Sequence, residues 1–415
     1  MFNNQLRMIP MPIYLDNNAT TACDPAVVDK MLPYFTEYYG NAASKHHRYG
    51  FLADAAVENA RLQVAQLIGA QQQEIIFTSG ATESVNMALK GVFESYAVKG
   101  NHIITTKAEH KAVLDTCQHL EKLGARVTYL PIDSTGQIDL KSLEAAISPE
   151  TILICIMYAN NELGTIYPVQ KIAAIAKKHA VIFMCDATQA TGKIPVDVEK
   201  DGIDILAMSA HKIYGPKGIG AVYIRRKSPR VHLLPLLDGG GQEKSLRPGT
   251  LNVPGIVGMG AACSLCLENM NGEANRLAGL RDRLESALLS IEGSILNGSA
   301  QNRLPHVTNI AFQYTPGAAL IREASKSIAI STGSACTAAS PEPSHVLTAL
   351  GLGEALAHAS LRFGLGRFTS TEDIDKAIEI LTKTVAKVRS ESMEWELYQS
   401  GETINPGDWQ HPAMV

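Results

Sequence analysis

Lys212 closes the segment Ser209-Ala-His-Lys212, directly after the apolar run 205–208. An amine at the end of a buried strand is badly placed for a solvated surface role and well placed to form an imine with an aldehyde. Alone, a lysine at a strand-to-loop edge is the more ordinary reading. Asp186 ends a second apolar run, Val181-Ile-Phe-Met-Cys-Asp186. A carboxylate there can pair with a ring nitrogen and keep it protonated, or cap a helix; Gln189, three residues on, could face the same pocket. Ser79-Gly-Ala-Thr-Glu-Ser84 joins a strand to a helix. Gly80 permits close backbone approach, the helix start offers free N–H groups and a positive dipole end to a phosphate, and Thr82 adds a hydroxyl; a capping box is compatible with the same residues. His110 follows the strand ending at Thr106, where an imidazole can stack on a planar ring or move protons near neutral pH.

Two further residues suggest a reaction. Cys336 is a candidate nucleophile on Thr332-Gly-Ser-Ala-Cys-Thr-Ala-Ala-Ser-Pro-Glu-Pro-Ser344, a small, polar, proline-punctuated stretch that reads as an exposed loop. At an ordinary thiol pKa of about 8.5 only a few per cent is thiolate at neutral pH, so a base or local positive charge must help. Arg362 is a candidate fork for a substrate carboxylate; a surface ion pair is the bland alternative. Each signal is modest, but together they supply every part of a site for pyridoxal phosphate.

The elements that must position these groups follow from periodicity. Apolar runs at 75–78, 103–106, 152–157, 181–185, 205–208 and 221–224 read as strands, and continuous apolarity marks strands buried on both faces. Helical patterns at 83–96, 111–123 and 169–179 alternate with them, which predicts an α/β fold with a mostly parallel sheet and helices on both faces. Beyond residue 227 a Pro/Gly-rich connection leads to two predicted helices, 253–269 and 274–290, then an α+β pattern with strands at 308–312 and 328–331. Two units are expected: 16–265 as the large cofactor-binding unit, and 1–15 with 266–415 as a smaller α+β unit carrying the Cys336 loop and the tail.

The bulk properties narrow the setting. The 415 residues are 46% hydrophobic and 19% charged with net charge −4, which suits a soluble globular protein and gives no basic footprint for nucleic acid. No signal pattern or membrane-length apolar run stands out, so a cytoplasmic protein without membrane contact is expected. Seven irregularly spaced cysteines argue against a disulfide framework, and Cys263-Ser-Leu-Cys266 reads as small buried side chains before a redox or zinc pair.

The chain resembles the cysteine desulfurases of the class V aminotransferase group, the kind that serve iron–sulfur cluster assembly. The likeness runs nearly end to end, through Tyr14-Leu-Asp-Asn-Asn-Ala-Thr-Thr21, Thr78-Ser-Gly-Ala-Thr-Glu-Ser84, Glu109-His-Lys-Ala-Val, Ala159-Asn-Asn-Glu-Leu-Gly164, Asp186-Ala-Thr-Gln189, His211-Lys-Ile-Tyr-Gly-Pro-Lys-Gly218, Arg247-Pro-Gly-Thr250 and Gly333-Ser-Ala-Cys-Thr337. It implies the pyridoxal-phosphate fold of type I with a seven-stranded sheet. It implies that Lys212 carries the cofactor as a Schiff base and then moves the substrate proton. It places Ala81, Thr82, Ser209 and His211 on the phosphate, with Thr250 reaching it from the other subunit of a homodimer. Asp186 and Gln189 contact the ring, His110 stacks on it, and Asn161 contacts the cofactor and, with Arg362, holds the substrate carboxylate. Cys336 takes the sulfur of L-cysteine as a persulfide, leaving L-alanine, and could ligate a two-iron, two-sulfur cluster in transit; no resident metal is implied. A cluster scaffold and other sulfur acceptors, tRNA thiolation among their uses, would be partners, with the tail bearing Trp395 and Trp409 as a docking element or simply packed on its own unit. Selenocysteine lyase or aminotransferase activity on the same fold, or a non-catalytic sulfur relay, remain the alternatives. Lys244-Ser245, where the family carries Arg-Gly, is one departure. Arg247-Pro-Gly-Thr and Asp16-Asn-Asn lean towards the nitrogen-fixation variant, the long loop and tail towards the housekeeping one.

Overall fold

The structure is a computed structural model that describes residues 11–227, 229–332, 342–402 and 405–412. Twelve strands are defined in it: β1 (Ile13–Tyr14), β2 (Ile75–Thr78), β3 (His102–Thr106), β4 (Arg126–Leu130), β5 (Thr151–Cys155), β6 (Ile182–Asp186), β7 (Ile205–Ser209), β8 (Gly220–Ile224), β9 (Ser294–Leu296), β10 (Val307–Phe312), β11 (Ile328–Ala329) and β12 (Ser360–Gly364). Seven of them form one sheet in the order β2-β8-β7-β6-β5-β3-β4. Only β8 runs against its neighbours; every other pair is parallel.

The continuous apolar runs are explained by what covers the sheet. Alternate residues of one strand enter opposite cores: Phe183 and Cys185 one side, Met184 the other; Leu206 and Met208 one side, Ile205 and Ala207 the other. The first core is closed by helices Arg48–Leu67, Val169–Lys178 and the first half of Val253–Leu289, the second by Ala81–Ser95 and Lys111–Lys122. A strand buried on both faces has no polar face to show, so period-two alternation disappears from its sequence.

The expected break between two helices at 269–274 is absent: Val253–Leu289 is a single helix of 37 residues. Gly272 lies in that gap, and glycine weakens a helix by about 1 kcal/mol. Tertiary packing overrides that preference. Cys263, Cys266 and Met270 pack in the first core, and Leu277, Leu280, Leu284 and Leu288 in a third one, so one rod is held at both ends. The third core also takes Leu15, alternate residues of β10 and β12, and the inner face of helix Thr371–Ser390. There β9, β10 and β12 make an antiparallel sheet, and β1 lies parallel to β11. Cys263 and Cys266 are buried, as the plain reading of that pair expects.

The tail packs on its own chain. Arg389 lies 4.0 Å over the Trp395 ring, Tyr398 stacks on Tyr314 at 4.4 Å, and the Trp409 carbonyl accepts from Gln313 Nε2 at 3.2 Å.

Candidate active site

The sheet delivers its chemistry at one edge. The turn after β2, the segment after β3, the end of β6 and the turn after β7 converge on a cavity of about 530 Å³. This is the carboxyl edge of parallel strands, where open α/β sheets bind ligands. Of the residues expected from sequence, Ala81, Thr82, His110, Asn161, Asp186, Gln189, Ser209, His211, Lys212 and Arg362 all line it. Thr250 is exposed and lies outside this chain's cavity. Cys336 lies outside the described residues.

Helix Ala81–Ser95 opens at Gly80 with no side-chain cap. Its first N–H groups therefore face the cavity without an internal partner, as an anion site requires. The close approach is sequence-encoded: a Cβ on Gly220, at the start of β8, would stand 2.6 Å from the Gly80 Cα. Glu83 ties the turn down, accepting from Ser79 N at 2.8 Å and from Arg247 Nε at 2.9 Å. Burial pushes the Glu83 carboxyl up, but those hydrogen bonds and the Arg247 charge outweigh it and hold it below its ordinary value.

Lys212 ends the short helical turn Ala210–Lys212 that follows β7. Its Nζ donates to the carbonyls of Asn18 at 2.5 Å and Ala19 at 2.8 Å. His211 Nδ1 lies 3.1 Å from Thr20 Oγ1. Burial, with the charges of Lys212 and Lys217, pushes the His211 imidazole down to about 4, so the ring is neutral at physiological pH. Asp186 is 7% exposed and takes the Thr188 N–H at 3.0 Å, leaving carboxylate oxygen towards the cavity it lines. His110 caps helix Lys111–Lys122 by accepting the Ala112 N–H on Nδ1 at 3.1 Å. That bond places the proton of the neutral ring on Nε2. Glu109, wholly buried beneath, is raised well above its ordinary value by desolvation and then by Asp186.

Sequence reasoning assigned no role to the strap Asp16–Thr21, though its motif was visible. Asp16 binds Arg362. Asn18 donates to the Asn161 carbonyl at 3.0 Å, and its own carbonyl accepts from Gln189 Nε2 at 3.1 Å. Thr21 fixes the Lys212 turn, its hydroxyl donating to the His211 carbonyl at 3.0 Å and accepting from Tyr214 N at 2.9 Å. Tyr214 needs that hold: it is a wholly buried, left-handed residue (φ 64) whose ring lies between Lys193 and Arg367. Thr188, which also lines the cavity, was missed too.

Thr188 Oγ1 and Asn18 Oδ1 are buried without a hydrogen-bond partner among the described residues, and both residues border the cavity. Orphaned polar atoms beside an uncapped helix start, a carboxylate, a neutral imidazole and an amine fit a planar, phosphorylated, nitrogen-bearing ring. Fold and site together define a pyridoxal-phosphate enzyme of fold type I.

The comparisons agree. The model of the family "Aminotransferase class-V" matches residues 13–377. A protein of Anaeromyxobacter dehalogenans (strain 2CP-C) named cysteine desulfurase IscS is 50% identical over 403 residues, 97% of this chain and 99% of its own length. One of the same name from Methylococcus capsulatus is 50% identical over 399 residues, covering 96% of this chain and 98% of its own. Among solved structures, a NifS-like protein superposes with TM-score 0.85 at 38% identity, over 91% of this chain and 100% of that one. The SspA structure in complex with cysteine gives 0.77 at 38% identity, over 86% and 99%. This chain belongs to the class-V aminotransferase family and, within it, to the cysteine desulfurases.

Proposed function

We propose that the chain binds L-cysteine on the pyridoxal phosphate held at Lys212 and passes its sulfur to Cys336, giving L-alanine. The observation that carries this is the convergence of Lys212, Asp186, His110 and the uncapped turn at Gly80 on one cavity that Arg362 also lines. Ala81, Thr82, Ser209 and His211 hold the phosphate, Asp186 the ring nitrogen, Gln189 the ring hydroxyl side, and His110 and Asn161 flank the ring. The cofactor, when bound, supplies an electron sink for the carbanion left by α-proton removal.

The residues of the chain do the rest. Lys212 takes the α-proton, and the Asn18 and Ala19 carbonyls orient its amine. Neutral His211 leaves no extra cation to compete with that amine for its acceptors. His110 presents its Nε2 proton edge, ready to give or take a proton at the substrate sulfur. Arg362 and Asn161 hold the substrate carboxylate. The Cys336 thiolate attacks the substrate sulfur; the carbon–sulfur bond breaks, the carbon is protonated to give alanine, and a sulfur–sulfur bond to Cys336 forms. The chain enters and leaves the segment 333–341 beside the site. Arg362 N donates to the Ser331 carbonyl at 2.7 Å, and Ser344 Oγ to Glu162 at 2.5 Å.

The working unit is a homodimer in the cytoplasm, with Thr250 of each copy serving the other's phosphate. Exposed Phe35, Tyr39, Tyr49 and Phe51 offer an apolar face for that contact. Its sulfur goes to a scaffold for iron–sulfur clusters and to other acceptors, including those of tRNA thiolation. The unit 16–265 and the unit made of 1–15 with 266–415 divide the labour, the first holding the cofactor and the second delivering Cys336.

Mass spectrometry after incubation with L-cysteine tests the reading. A mass gain of one sulfur on the peptide bearing Cys336, with alanine formed in equal amount, is expected. Alanine without that gain, or equal turnover of an amino-acid/oxo-acid pair, would overturn it.

A further inference from the structure

Arg362 is not an open fork. Its side chain is 2% exposed, and Nη2 already donates to Asp16 Oδ1 at 2.8 Å. Nη1 donates to the Asn161 carbonyl at 3.1 Å, and Nε has no partner among the described residues. Arg362 lines the cavity; Asp16 does not. The guanidinium thus stands between a resident carboxylate behind it and the place of the substrate carboxylate in front. Asp16 is itself fixed: its backbone bridges to Gly364, and the next amide, Asn17 N, donates to the Gly364 carbonyl at 2.9 Å.

We infer that Asp16 is a positioning residue that shares the charge of Arg362 and so weakens the hold of the site on the carboxylate common to substrate and product. This deepens the desulfurase reading and rests on it. A buried guanidinium with no resident anion would hold an incoming carboxylate as its full counter-ion. With Asp16 in place the incoming carboxylate meets a neutral pair and repels the charge behind it. L-cysteine and L-alanine carry the same carboxylate, so a full-strength fork would retain the product as firmly as it captures the substrate. Sharing the charge lowers both affinities and keeps release fast. Asn161 supplies an uncharged carbonyl, which orients the guanidinium without neutralising it.

Asp16→Asn tests this, because the amide oxygen can still accept from Nη2 while the charge is gone. The probe is mercaptopropionate, a thiol-bearing carboxylate with no amine, titrated calorimetrically into the protein as purified. Removing a like charge about 6 Å away at an effective dielectric near 20 predicts a Kd about a hundred-fold lower in the variant. KM for L-cysteine falls as well, and kcat falls with it because alanine is retained. A merely structural Asp16 would instead raise KM and weaken mercaptopropionate binding; either result, or an unchanged Kd, overturns the inference. A second arm needs no variant. In the unaltered protein, replacing mercaptopropionate by mercaptopropanol loses less than about ten-fold in Kd if the charge is shared, and about a hundred-fold or more if the fork is open. A loss of that larger size overturns the inference even where Asp16→Asn does not fold. Failure of the desulfurase reading shows separately, as no sulfur on Cys336, and leaves the mercaptopropionate comparison intact.

Discussion

Glu243→Ala will unfold the protein more readily than any surface change, and the structure says by how much. The Glu243 carboxylate accepts from Arg61 Nη1 and Nη2 at 2.7 Å each and from the Phe77 amide at 2.7 Å. The two side chains are 6% and 1% exposed. Arg61 also donates to the Ile75 carbonyl and lies over the Phe77 ring at 4.8 Å. Removing the carboxylate strands a buried guanidinium and a buried amide together. Breaking one partner out of a buried pair costs about 3–5 kcal/mol, against less than about 1 for an exposed pair. Denaturant unfolding followed by fluorescence and by circular dichroism measures the loss. The double change Arg61→Met with Glu243→Leu should recover part of it, since it leaves no buried charge unpaired, although the Phe77 amide and the Ile75 carbonyl still lose their partners. Because Phe77 precedes the turn at Gly80, Glu243→Ala should also loosen cofactor retention. A loss near that of an exposed pair, or a double variant no better than the single one, would refute the reasoning.

Other outcomes follow from the same geometry. Glu243, Lys244 and Ser245 are three successive left-handed residues with φ of 46, 60 and 62; Ser245→Gly should raise stability by about 1 kcal/mol, read as a shifted unfolding midpoint. Burial, with Arg126, lowers His102 to about 4, burial with two lysines lowers His211 to about 4, and burial, with Lys193 and Arg281, lowers His306 well below its ordinary value. Their folded values lie below the unfolded one, so their stabilisation is complete above about pH 6.5 and drains as pH falls towards 4. An unfolding series across that window should show the decline, flattened by about one proton's worth in His102→Gln. Cys336→Ser should keep the cofactor colour and lose alanine production from L-cysteine, assayed by amino-acid analysis.

What the sequence revealed and what it hid divide along physical lines. The central strands were legible because burial on both faces writes itself as unbroken apolar runs. β4, Arg-Val-Thr-Tyr-Leu, was not: it is the sheet's edge, half-buried, and its mixed composition carries no such run. β12 was legible only as a motif around Arg362. The site residues seen early were those whose side chains do chemistry at strand ends. The strap 16–21 was passed over because much of its work is done by backbone carbonyls, at Asn18 and Ala19, and a carbonyl leaves no mark on residue type. Its Asp16 could have been noticed as an acid in a motif otherwise neutral.

The choice of Cys336 as sulfur carrier gains force from the other six cysteines. Cys155, Cys185 and Cys263 are wholly buried, and desolvation lifts each thiol well above its ordinary value. Burial first, then the carboxylates of Glu109 and Glu121, pushes Cys117 up to about 12. Cys266 is raised by burial despite Lys193 and Arg367 nearby. Cys23 is partly exposed, but burial and Asp24 raise it too. A nucleophile must be thiolate and must reach an external acceptor. None of the six meets the first condition at neutral pH, and five of them fail the second. Cys336 is therefore the cysteine proposed to take the sulfur, and the chain anchors both ends of the segment holding it, at Ser331 on Arg362 and at Ser344 on Glu162. The residue proposed to bind the substrate carboxylate is thus also a root of the segment proposed to collect the sulfur.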